Sequence, residues 1–151
     1  MPTERASTMR ALFDVNVLIA LLDSDHIGHS AATAWFAENL TPGWASCPIS
    51  ENGAARVMAS PGYPNRLPVA EVLKRIAQAA ATGDHRFWPD DVSLTDPSVF
   101  KLGELLGPKQ ITDRYLLALA VRNGGRLVTF DHAIRPTAVE GASARHLVLL
   151  R

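Results

Sequence analysis

Four acidic residues, Asp14, Glu51, Asp113 and Asp131, each stand where an apolar run meets a helix start or a turn. In FDVNVLIALL the run Ala11-Leu12-Phe13 delivers Asp14 to the end of a strand, and in RLVTFDH the run Leu127-Val128 delivers Asp131 likewise. Glu51, in CPISENGAARV, and Asp113, in QITDRYLLALAV, sit where apolar helices begin. Carboxylates converging from such ends repel one another unless a hard divalent cation neutralises them, and Mg²⁺ prefers oxygen ligands of this kind. The pattern predicts a chain built around a cation.

Asp14 and Asp131 carry the most weight, because an acid placed straight after a buried strand loses its hydration unless it is hydrogen-bonded or paired with a cation. Thr112 reads as an N-cap with Asp113 as the first helical residue, where a carboxylate also gains from the helix dipole without any catalytic purpose. Glu51, one residue after Ser50, has the same alternative explanation. Asn16 lies two residues past Asp14, and Thr129 two before Asp131. Along an extended chain that spacing turns both polar groups toward the face of the acids, where each could position a carboxylate or a water. Turn chemistry for Asn16 and strand propensity for Thr129 are the competing readings.

The elements that would position these acids alternate. Residues 10–13 read as a short buried strand and residues 17–22 as the first turns of a helix. Over 29–40 the apolar positions Ala32, Trp35, Phe36 and Leu40 mark an amphipathic helix, stopped by Thr41-Pro42-Gly43. Residues 44–47 suit a strand, and Pro48-Ile49-Ser50 leads into a helix carrying Glu51, Ala54, Ala55 and Met58. A helix over 69–80 closes at Thr82-Gly83-Asp84, and Phe87-Trp88 form a brief strand. Asp96-Pro97 predicts an N-cap followed by proline at the first helical position, with Val99, Phe100, Leu102, Leu105 and Leu106 packing inward until Gly107-Pro108. A further helix starts at Thr112 and is broken by Gly124-Gly125; strands at 127–130 and 146–150 complete the chain. Strands alternating with helices imply a mostly parallel sheet with helices on both faces, where ligand sites collect at the carboxyl ends of the strands.

At 151 residues and 47% apolar content, the chain suits a single domain over 9–151. Residues 1–8 are polar and read as a flexible extension ahead of Met9. Cys47 is the only cysteine, so it is given no disulfide and no zinc site and reads as a small buried apolar residue. With no apolar stretch of eighteen residues and no secretory signal, the expected location is cytoplasmic. Fifteen basic and fifteen acidic residues leave a formal charge of zero, so any nucleic-acid surface must be local. His26 and His29 have a zinc-like spacing but no further clustered ligands, which favours a surface loop. Asp90, Asp91 and Asp96 read as turn and cap residues, and Trp35, Phe36 and Trp44 as core.

Together these segments resemble a PIN-domain ribonuclease, and more narrowly the VapC toxins of VapBC toxin–antitoxin systems. LFDVNVLIALLDSDHIGHSAATAWF resembles the opening of one VapC branch, CPISENGAARVMASPGYP its second block, and QITDRYLLALAVRNGGRLVTFD its third. The blocks follow family order, cover roughly residues 9–150, and carry the acids with their flanking Asn16, Asn52, Arg56, Thr112 and Thr129.

The resemblance implies a three-layer α/β/α sandwich and an acidic site of Asp14, Glu51, Asp113 and Asp131 holding Mg²⁺ or Mn²⁺. Asp14 and Asp113 would be the most direct ligands, with Glu51 and Asp131 completing the pocket. It also implies cleavage of RNA, often a structured tRNA or rRNA, neutralisation by a VapB-type antitoxin, and a homodimer. The neutral charge departs from what an RNA-binding surface suggests, leaving Arg56, Arg66, Lys74, Arg75, Arg86, Lys109 and Arg114 as candidate phosphate contacts, Arg114 nearest a proposed ligand. Three other readings compete: a PIN nuclease of RNA processing or DNA flaps, a PIN domain kept only for binding, and a receiver-like phosphoacceptor. The last would need a lysine beside the acids, and Lys109 precedes a helix instead of ending a late strand.

Overall fold

The computed structural model describes residues 9–39, 41–104 and 107–151, with the side chain of Lys109 outside that description. The predicted extension 1–8 and the apolar positions Leu40, Leu105 and Leu106 also lie outside the described residues. Among the described residues, five strands and five α-helices follow one another as β1 (Ala11–Phe13), α1 (Val15–Leu22), α2 (His29–Glu38), β2 (Trp44–Ser46), α3 (Pro48–Met58), α4 (Val69–Ala80), β3 (His85–Phe87), α5 (Ile111–Arg122), β4 (Arg126–Thr129) and β5 (Leu147–Leu149).

The strands form one sheet in the order β3-β2-β1-β4-β5, and every neighbouring pair is parallel. The chain thus winds from β1 outward to one edge and then returns to the other side of β1. The gap between β1 and β4 is the point where winding reverses, and ligands of open α/β sheets bind outside the carboxyl ends of the strands there.

Alternation along each strand sorts side chains onto two faces. Ala11, Phe13, Trp44 and Val128 join α1, α2, α3 and α4 in one apolar cluster, while Leu12, Ala45 and Leu127 join α5 in a second. Buried on both faces, the strands read as near-continuous apolar runs, as parallel strands do. The result is the α/β/α layering expected from the sequence, with a sheet that is wholly parallel.

Three expectations need correction. α1 starts at Val15, two residues earlier than the apolar run suggested, because Asp14 itself caps it. Among the described residues, no α-helix starts at Asp96-Pro97. Instead the Asp96 carboxylate accepts from the Ser98 N–H and hydroxyl, and residues 99–101 exchange backbone hydrogen bonds with residues 138–140 around an antiparallel Phe100–Val139 bridge. That pairing outcompetes the helix; Phe100 is buried as expected, whereas Leu102 is exposed. Finally, α5 is entered from a 3₁₀ turn over Pro108–Gln110, so Gln110 is the cap and Asp113 the third helical residue; Thr112 is not the N-cap.

Candidate active site

Asp14 leaves β1 and immediately turns the chain into α1. Its Oδ1 accepts the Val15 N–H at 2.7 Å, satisfying one of the free donors at the helix start. Its Oδ2 accepts the Thr129 hydroxyl at 2.8 Å, and its own N–H donates to the Val128 carbonyl of β4. The carboxylate is therefore fixed across the gap between the two central strands and is only 5% exposed.

Thr129 is fully buried and links two acids through one oxygen. It donates to Asp14 and accepts the Asp131 N–H at 3.0 Å. The Asp131 carboxylate, at the surface, accepts the Ala133 N–H at 2.9 Å, which holds the turn after β4. Asp113 reaches the same place from α5, on the sheet face shared with Leu127 and Thr129.

The aspartates influence one another's ionisation. Burial raises the Asp14 carboxyl above the ordinary carboxylate range, its hydrogen bonds from Thr129 and Val15 oppose this, and the charge of Asp131 adds to the rise. Asp113 is pushed up to about 7, first by desolvation, then by the charge of Asp14 and by hydrogen bonding and repulsion with Asp131; Arg114 only partly offsets this. The ion pairs among the described residues lie elsewhere, joining Arg10 to Asp84, Arg75 to Glu71 and Arg122 to Asp91.

Three hard oxygen donors with too little positive charge beside them suit a divalent cation such as Mg²⁺, whose binding would favour the ionised form of Asp14 and Asp113. Among the described residues, no three acidic, histidine or cysteine side chains already close on a single point. The aspartates flank a space and do not form a finished cage.

Glu51 has a hydrogen-bond partner of its own. It sits one turn into α3, and its Oε2 accepts the Ser46 hydroxyl at 2.6 Å. Ser46 shares its sheet face with Trp44, and alternation puts Thr129 on the face of Leu127. His85 Nε2 lies 2.8 Å from the same hydroxyl oxygen. With the hydroxyl proton committed to Glu51, Nε2 must donate. The sequence pattern gave no signal for this Glu51–Ser46–His85 chain, because its members come from two strands and a helix.

The remaining candidates divide. Asn16 is exposed on the first turn of α1; its surroundings are helical, so the two-residue spacing of a strand does not align it with Asp14. Arg114 is 4% exposed and its Nε has no partner among the described residues, which removes it from the surface phosphate contacts. Lys109 lies in the 3₁₀ turn before α5. Arg56 is exposed and, with Val15, Asn52, Gly53, Asp90 and Thr112, lines a cleft of about 340 Å³ whose walls adjoin Asp14 and Asp113 in the chain. Gly53 allows this approach: a Cβ there would meet Val15 Cγ2 at 2.7 Å, so glycine lets α3 pack onto the first turn of α1. Cys47 is fully buried, with burial pushing its thiol up to about 11, which agrees with an inert packing role.

This fold and this placement of acids define a class. The chain belongs to the PIN domain family, whose model matches residues 11–140. It is similar to three proteins of Mycobacterium tuberculosis (strain ATCC 25618 / H37Rv). It is 51% identical over 142 residues to Ribonuclease VapC44, covering 94% of this chain and 100% of that protein. It is 44% identical over 125 residues to Ribonuclease VapC38, covering 82% and 86%, and 41% identical over 135 residues to Ribonuclease VapC39, covering 88% and 96%.

Proposed function

We propose that this chain is a divalent-metal-dependent endoribonuclease, the toxic component of a VapBC-type pair, acting on structured RNA such as tRNA or rRNA and held in check by a VapB-type antitoxin. What supports the reading is the hydrogen-bonded link from Asp14 through Thr129 to Asp131 across the winding reversal of the sheet, with Asp113 entering from α5. The relatives named as ribonucleases support the substrate class.

Asp14, Asp113 and Asp131 would hold Mg²⁺ or Mn²⁺. Such an ion supplies Lewis-acid polarisation of the phosphate, activation of water as the nucleophile and neutralisation of the leaving oxygen. The chain's own residues do the rest. Thr129 fixes one Asp14 oxygen and the Asp131 backbone, so the two acids keep their spacing when charge around them changes. Arg56 and Asn52 line the adjoining cleft, where a guanidinium and an amide suit the phosphates of an RNA backbone. Glu51, held by Ser46, supports the packing of α3. The protein would act in the cytoplasm as a homodimer, with two sites extending one groove for RNA.

Incubating purified, antitoxin-free protein with total cellular RNA and Mg²⁺ or Mn²⁺, then sequencing the new ends, tests this reading. Discrete cuts that vanish with EDTA and in Asp14→Asn are expected. Cutting that survives both would contradict it, and uncut RNA from folded protein would point to a domain kept for binding alone.

A further inference from the structure

A second cleft, of about 430 Å³, is lined by Asn16, His26, Ile27, Gly28 and Phe130. Its walls adjoin the acids in the chain: Asn16 follows Asp14 by two residues, and Phe130 lies between Thr129 and Asp131. Ile27 stands wholly in solvent, at 100% exposure, at the tip of the loop between α1 and α2. Beside it the His26 ring stacks on Phe130, with centroids 6.4 Å apart and planes at 20°. His26 is held in place because its Nδ1 accepts the Gly28 N–H at 2.9 Å. A Cβ on Gly28 would fall 2.5 Å from the Phe130 ring, so only glycine lets the loop lie against that ring. Phe130 itself is half-buried, its inner side packed against the apolar core.

Among the described residues, none packs on the outer surface of Ile27. An aliphatic side chain fully in water, an ordered imidazole–phenyl stack and an open amide together match what holds a splayed-out RNA base: stacking on the ring faces and hydrogen bonding at the base edge. The local charge selects the base over the backbone. Asp23 and Asp25 belong to the same loop, Asp23 holding the Tyr63 hydroxyl and Asp25 accepting from Asn65, and these carboxylates would repel a phosphate. The guanidinium of Arg56 lines the other cleft.

We infer that the patch of His26, Ile27 and Phe130 is a stacking platform for an unpaired nucleobase next to the phosphate that is cut, with Asn16 placed to read the base edge. This rests on the ribonuclease reading. It makes the loop between α1 and α2 a determinant of where the RNA is cut.

The test uses Ile27→Ala and Ile27→Trp in the full chain, since a wholly exposed side chain can be changed without disturbing the core. Short single-stranded RNAs spanning a mapped cut would carry an abasic nucleotide at each position beside it in turn. Ile27→Ala should raise KM about three- to tenfold with a much smaller change in kcat, and Ile27→Trp should leave KM at or below the parent value. One abasic position should raise the parent KM about tenfold and the Ile27→Ala KM much less, because both remove the same contact. Identical KM values for all three proteins on every RNA would overturn the inference. So would unchanged KM values with a weakened hold on a VapB-type antitoxin, which would make the patch a protein-docking surface. Titrating 2-aminopurine-labelled RNA into each protein in EDTA keeps the two readings apart. The same ranking of Kd values supports the platform even if no RNA is cut, and equal Kd values overturn it.

Discussion

Two polar clusters occupy opposite faces of the sheet near its carboxyl end, and each is built on a hydroxyl from a strand's last residue. On one face Ser46 donates to Glu51 and His85 bonds to Ser46, so a single acid lies in a chain with a hydroxyl and an imidazole. On the other face Thr129 donates to Asp14, and the next groups are two more carboxylates, Asp113 and Asp131. The first cluster is satisfied by the protein itself. The second is left with excess negative charge that only something added can balance.

The comparison is broken or sharpened by changing one cluster at a time. Asp14→Asn should have the largest effect, a loss of RNA cleavage on the order of 10³-fold, equivalent to about 4 kcal/mol of transition-state stabilisation. The same change relieves repulsion in metal-free protein, so its melting temperature should hold or rise. Lost cleavage together with a large drop in melting temperature would instead mean that Asp14 is structural.

Thr129→Val removes the hydroxyl that ties Asp14 to Asp131 and should cut activity by roughly 10- to 100-fold, as loss of a supporting partner at a metal site typically does. Measured in steady-state cleavage, it should also lower metal affinity. Unchanged affinity would show that the strand alone holds the spacing.

The third effect is on stability against pH. Asp113 has a folded value of about 7 against 3.8 as its ordinary one, so between those values the folded state binds more protons than the unfolded. Metal-free protein should therefore lose stability as pH rises from about 4 through 7. Asp14, raised in the same sense, adds to this loss. Thermal melts in EDTA should fall by a few degrees from pH 5 to pH 8, since about 1 kcal/mol moves a domain of this size by that much, and Mg²⁺ should recover most at pH 8. A melting temperature that climbs over that interval would contradict the crowding of these acids.

Glu51→Gln should have the smallest effect. It keeps an acceptor for Ser46 and should change cleavage by less than about threefold, while Glu51→Ala should lower stability by roughly 1 kcal/mol through the lost hydrogen bond. If Glu51→Gln were as damaging as Asp14→Asn, the two clusters would have to be treated as one site.

Much of this was legible in the sequence because parallel strands buried on both faces are short apolar runs, and each ends at a residue that must do something else. Ala11-Leu12-Phe13 before Asp14 and Leu127-Val128-Thr129 before Asp131 placed two acids at the ends of adjacent strands. The helix over 69–80 emerged with the bounds its periodicity gave. What the sequence hid depends on contacts far along the chain. The segment after Asp96 makes a single turn onto the Asp96 carbonyl and then pairs through 99–101 with residues 138–140, and no local pattern announces that pairing. Glu51 was visible as an acid opening a helix, but its hydroxyl partner Ser46, which comes from β2, was not. Arg114 looked like a surface cation because it follows Asp113, but one step along α5 turns it inward.

The most direct test of the central claim is calorimetric titration of Mn²⁺ into the metal-free parent, Asp14→Asn, Asp113→Asn and Glu51→Gln proteins at pH 8. The account predicts that the first two variants lose affinity by at least about tenfold, roughly 1.4 kcal/mol, while Glu51→Gln binds like the parent. Parent-like binding by Asp14→Asn and Asp113→Asn, or loss of binding in Glu51→Gln alone, would contradict it.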